Sequence, residues 1–149
     1  MSRQGDSEFP ILLDQLLSGE SSISLRNHPD LAPPLWAAAA LFQKRLEVRE
    51  SPQLHLKESN RARLLVEAAI ALGAEGESRD DGFLVDFTSY VGVREQTFLR
   101  TEGDHRLSMA VGLLSVDQPL VEPDRRDCVR KSFPHFWQAL AFLEEAQPG

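Results

Sequence analysis

The chain is poor in the residues that staple or anchor a protein. It has one cysteine, Cys128, in 149 residues, so an internal disulfide is excluded, and no Cys/His pair has metal-ligand spacing. A structural thiol is the expectation for Cys128, and no metal or cofactor is expected. Long apolar runs are also missing: the longest, Leu35 to Phe42, falls far short of the roughly 20 residues that span a bilayer. No basic-then-apolar leader is visible, and the expectation is a cytoplasmic protein that engages no membrane. Basic excess is lacking too, because 23 acidic residues outnumber 16 Lys and Arg for a net charge of −7. That balance argues against nonspecific binding to nucleic acid or anionic lipid.

What is present suits one domain with a real core, since 42% of the residues are hydrophobic and the length is ordinary for a single unit. Residues 1–7 lack apolar periodicity and read as a disordered start, with 147–149 as a tail and 8–146 as the domain. Phe9, Leu12, Leu13 and Leu16 predict a short helix stopping at Gly19. Ile23 and Leu25 alternate as a strand. Asp30 then reads as the N-cap of a helix that holds Pro33 and Pro34 in its first turn and runs to about Gln43. Leu46 to Arg49 alternates as a strand, and a helix from Lys57 or Glu58 carries Leu64, Leu65, Ala68 and Leu72 before ending at Gly73.

Further on, Glu75–Ser78 and Phe83–Phe87 flank Asp80-Asp81-Gly82, a hairpin signal. Residues 88–95 read as loop and Gln96–Arg100 as a strand. Asp104 caps a helix to about Leu114, Leu120-Val121 is a short strand, and Ser132 caps a last helix bearing Phe133, Phe136, Trp137, Leu140 and Leu143. The predicted class is α/β.

Cationic side chains recur at the predicted helix starts, in Lys57-Glu58-Ser59-Asn60-Arg61, Gly103-Asp104-His105-Arg106 and Lys131-Ser132-Phe133. A helix N-terminus is already positive, so a basic residue there is unfavourable unless an anion joins it. Read locally, each group also has an ordinary explanation. Glu58 with Arg61 is a surface helix pair, Asp30 and Asp104 are caps, His105 is a satisfied polar residue, and Lys131 beside Arg130 is a solvated basic patch.

Taken in order, Lys57-Glu58-Ser59-Asn60-Arg61, Gly103-Asp104-His105-Arg106-Leu107-Ser108-Met109-Ala110 and Cys128-Val129-Arg130-Lys131-Ser132-Phe133-Pro134 resemble the C-terminal motifs of 3-phosphoshikimate 1-carboxyvinyltransferase, the EPSP synthase of the shikimate pathway. His28-Pro29-Asp30-Leu31-Ala32-Pro33 resembles the segment that carries a catalytic aspartate in that family. The resemblance runs from about Leu12 to Leu143 and leaves the family's N-terminal domain without a counterpart. It implies part of a domain built from repeated βαβαββ units, about two of them here.

The implied reaction is enolpyruvyl transfer from phosphoenolpyruvate to shikimate 3-phosphate. Asp30, Lys57 and Glu58 would be catalytic, with Asp30 the favoured base and Glu58 the proton donor. Arg61, Asp104, His105, Arg106 and Lys131 would bind substrate. Asn60 stands where the family often has an aspartate, and 123–127 also departs from the pattern. The expectation is an incomplete or split chain, inactive alone, with an uncovered apolar surface. It would need an N-terminal domain partner or self-association. The alternative is a noncatalytic anion-binding or interaction module derived from the family, and a third reading is the related UDP-N-acetylglucosamine enolpyruvyl transferase.

Overall fold

A computed structural model describes residues 3–55 and 60–124. Its elements are α1 (Arg3–Leu17), β1 (Ser22–Ser24), α2 (Ala32–Leu41), β2 (Arg45–Arg49), α3 (Arg61–Ala71), β3 (Glu75–Arg79), β4 (Gly82–Asp86), β5 (Thr97–Leu99), α4 (His105–Asp117) and β6 (Val121–Pro123). From β1 to β4 the chain makes one complete βαβαββ unit. Its sheet has the order β1-β2-β4-β3, with β1 parallel to β2 and β4 antiparallel to both its neighbours. The segment β5-α4-β6 repeats the first half of that unit, again with parallel strands. Among the described residues there are therefore one unit and the opening of a second. The mixed α/β class stands as expected.

Period-2 patterning explains the first sheet. Ile23, Leu46, Val48, Phe83 and Val85 are buried, while Glu47, Arg49, Glu77 and Arg79 lie on the side open to water. Helix α2 is apolar all round and buried from Ala32 to Ala40, as a helix enclosed by other elements must be. It packs most extensively on α4, its equivalent in the second half-unit. The Trp36 indole Nε1–H donates to the Leu65 carbonyl at 2.9 Å, joining α2 to α3. Phe87 meets Trp36 edge to face at 5.5 Å, and Tyr90 meets Phe87 at 5.4 Å. Burial pushes the Tyr90 hydroxyl up to about 12, helped by the charge of Asp117 and opposed by its hydrogen bond with Gln118.

Three expectations need correction. Helix α1 begins at Arg3, inside the segment 1–7 read as disordered, because its first turn carries no apolar residues and so gives no periodicity. Asp30 does not cap α2: it lies in a 3-10 turn, Pro29–Leu31, and the cap position falls on Leu31 with no side-chain hydrogen bond. The Ala32 N–H donates instead to the Pro29 carbonyl, and Pro33 and Pro34, second and third in α2, offer no N–H to a capping side chain. Helix α3 starts at Arg61, not at Lys57 or Glu58. Asn60 has non-helical backbone angles, and its side chain accepts from the Arg63 N–H at 3.0 Å. The residues before Asn60, Lys57 and Glu58 among them, lie outside the described residues.

Elsewhere the elements fall where the sequence places them. Asp104 caps α4, and Gly73, at φ +93°, follows the end of α3. The hairpin of β3 and β4 turns at Asp80-Asp81. The cap at Ser132 and the last helix lie outside the described residues, as does Cys128. No described helix is long and apolar enough to cross a membrane. Large apolar side chains stand exposed at Ile11, Ile70, Val91, Phe98, Val116 and Leu120.

Candidate functional site

Each helix after α1 follows a strand that has a parallel partner: α2 follows β1, α3 follows β2 and α4 follows β5. The helix starts therefore sit at the carboxyl ends of the strands, where open α/β sheets usually place their ligands. Three connections deliver charged residues to that end. The β1–α2 connection brings Asp30, the first turn of α3 brings Arg61, and the β5–α4 turn brings Asp104 and Arg106. That last turn is tight, with Glu102 at φ +52° and Gly103 at φ +76°. It is tied to the end of β6 by Asp124, whose Oδ1 accepts from the Thr101 hydroxyl at 2.6 Å and the Thr101 N–H at 3.2 Å.

These residues form one ionic chain. The Arg61 Nε–H donates to Asp104 Oδ2 at 2.7 Å, and its Nη2 donates to Asp104 Oδ1 at 3.3 Å. The remaining arm, Nη1, donates to Asp30 Oδ1 at 2.8 Å. Asp30 Oδ2 in turn lies 3.8 Å from Arg106 Nη2. The inner pair is dry, with Arg61 3% and Asp104 0% exposed, whereas Asp30 and Arg106 are 45% and 30% exposed. A buried guanidinium is tolerable only with carboxylates on its fork, and here it has two. Burial by itself would lower the Arg61 pKa, but the hydrogen bonds and charges of Asp104, then of Asp30, outweigh it and hold the group above its ordinary value.

Asp104 Oδ1 also accepts from the Arg106 and Leu107 N–H groups at 3.0 and 3.3 Å. One carboxylate thus caps α4 and grips the first residue of α3. His105, the first residue of α4, is exposed, so it is not a buried, satisfied histidine.

Of the predicted site residues, Asp30, Arg61, Asp104 and Arg106 come together and His105 is adjacent in the chain. Lys57, Glu58 and Lys131 lie outside the described residues. Two features were not read from the sequence. Gln53, just after β2, has a buried side-chain oxygen with no hydrogen-bond partner among the described residues; a lone glutamine carries no signal of this. An open cavity of about 200 Å³ is lined by Glu8, Leu12, Ser24, Arg26, Asn27 and His28. The polar run Arg26-Asn27-His28 was its available sign. No cluster of His, Cys, Asp and Glu among the described residues could hold a metal ion.

Residues 8–140 match the family profile of EPSP synthase (3-phosphoshikimate 1-carboxyvinyltransferase). The chain belongs to the EPSP synthase family. It is 31% identical over 115 residues to the 3-phosphoshikimate 1-carboxyvinyltransferase of Salinibacter ruber, covering 75% of this chain and 26% of the relative. The enzymes of the same name from Clostridium acetobutylicum and Syntrophotalea carbinolica are 32% and 33% identical, over 77% and 78% of this chain. An EPSP synthase structure from Acinetobacter baumannii superposes with a TM-score of 0.62 at 18% identity, over 83% of this chain and 30% of that one; the likeness is one of fold. The chain spans about a quarter of the length of the curated relatives it matches.

Proposed function

We propose that this chain supplies one wall of an enolpyruvyl transferase cleft acting on phosphoenolpyruvate and shikimate 3-phosphate, and that turnover requires the rest of the cleft from an N-terminal domain partner. The observation that carries this reading is the ionic chain. Asp30, Arg61, Asp104 and Arg106 are distant in sequence, each belongs to a family-like motif, and they meet at the starts of three helices.

In the reaction, the 5-hydroxyl oxygen of shikimate 3-phosphate bonds to C2 of phosphoenolpyruvate while C3 gains a proton. The tetrahedral adduct then loses inorganic phosphate and a C3 proton. Asp30, half exposed and fixed by Arg61, accepts the hydroxyl proton. Glu58 protonates C3, and Lys57, its neighbour in sequence, serves with Asp30 at the shikimate hydroxyl. Arg106 and Lys131 meet the anionic groups of phosphoenolpyruvate, with His105 next to them. Three of the five N–H donors of Arg61 are engaged by Asp104 and Asp30. Buried as it is, Arg61 contributes its charge to substrate binding, and Asp104 acts through it.

Titrating phosphoenolpyruvate into the chain while following arginine side-chain N–H resonances tests this assignment. A saturable shift of the Arg106 signal that disappears in Arg106→Ala is expected. A titration that leaves this signal unmoved, or binding undiminished by the substitution, contradicts the assignment.

A further inference from the structure

Within the described cluster two arginines face two aspartates, so the group has no net charge to offer an anion. Resting on the anion-site reading above, we propose that Asp30 is a built-in counter-ion for Arg106. It occupies the cation that an incoming phosphate or carboxylate would use, and an anion binds by drawing Arg106 away from it.

The geometry makes the contact one-sided. Asp30 Oδ1 is held at 2.8 Å by Arg61, a buried arginine itself fixed by Asp104. Its contact with Arg106 is longer, at 3.8 Å, between partly exposed groups. Contacts of the second kind are weak and screened by salt, whereas breaking the first would leave a buried charge without one of its carboxylates. Arg106 is therefore the partner that moves, and Asp30 stays in place. An anion on Arg106 then lies close to an ionised carboxylate that does not retreat. That repulsion lowers the affinity for a bare anion such as inorganic phosphate.

The test is the affinity of the 149-residue chain for inorganic phosphate, measured at low and high ionic strength for the wild type, Asp30→Asn and Arg106→Ala. Asparagine keeps the shape and can still accept from Arg61. Removing a unit charge at about 4 Å is expected to tighten phosphate binding on the order of fivefold at low salt, with the gain shrinking as salt screens it. Arg106→Ala should abolish binding. If Asp30→Asn does not fold, as judged by its circular dichroism melt, Asp30→Ser removes the same charge and reads the same way. Unchanged or weaker binding without the Asp30 charge, with Arg106→Ala still abolishing it, overturns the counter-ion role and leaves the anion site standing. Phosphate binding by none of the proteins overturns both.

Discussion

Arg61 is the residue on which the arrangement turns. Its guanidinium is buried between Asp104 and Asp30 and joins the starts of α3 and α4 to the connection before α2. Removing one partner from a buried ionic group leaves the other charges without compensation, at a cost of about 3–5 kcal/mol. Arg61→Ala is expected to lose that much in urea unfolding. Arg61→Lys should recover little of it, because an ammonium cannot serve two carboxylates in the fixed fork that Nε, Nη1 and Nη2 provide. A loss below about 1 kcal/mol for the alanine variant would show that the network does not hold the fold. None of this was legible locally. Arg61 and Asp104 are 43 positions apart, and a cation at a helix start reads equally well as a ligand group, a surface ion pair or an internal counter-ion. Only tertiary structure makes that choice.

At the scale of elements, the first sheet depends on a close approach at the beginning of β4. A Cβ on Gly82 would lie 1.9 Å from the Val48 carbonyl oxygen and 2.7 Å from its carbon, so the collision is with backbone that cannot rotate away. Gly82→Ala should cost about 1–3 kcal/mol by overpacking and disturb the β2–β4 pairing. At Gly76, by contrast, the nearest atom is the Val66 Cγ1 at 3.1 Å, the end of a side chain, and alanine should be milder. Paired chemical denaturation of the two variants checks this ordering, and equal losses would contradict it. The sequence announced this hairpin through Asp80-Asp81-Gly82, yet the glycine serves the neighbouring strand and not the turn itself. Alternating and helical apolar patterns located most elements well. They missed the polar first turns of α1, and they set α3 too early because Asn60, a strong cap, lies between the basic group and the apolar face.

For the whole molecule, the order of the motifs carried more than any one of them. The family followed from that order, and the α/β class from the alternation of helices and strands. The finer architecture needed coordinates, which give one βαβαββ unit and the opening of a second among the described residues. Lys57, Glu58 and Lys131 remain assigned by motif alone. Positioning two substrates and excluding water can contribute about 7–11 kcal/mol to lowering such a barrier, and one wall of a cleft forfeits most of it. The decisive measurement is inorganic phosphate release from phosphoenolpyruvate and shikimate 3-phosphate. It would use this chain alone and this chain mixed with the complementary N-terminal portion of a curated relative, in a mixture shown by light scattering to associate. The account predicts no useful release by either chain alone, release by the mixture, and loss of that release in Lys57→Ala or Glu58→Ala. An associated mixture that binds phosphoenolpyruvate yet releases no phosphate would contradict the account and favour a noncatalytic anion-binding module.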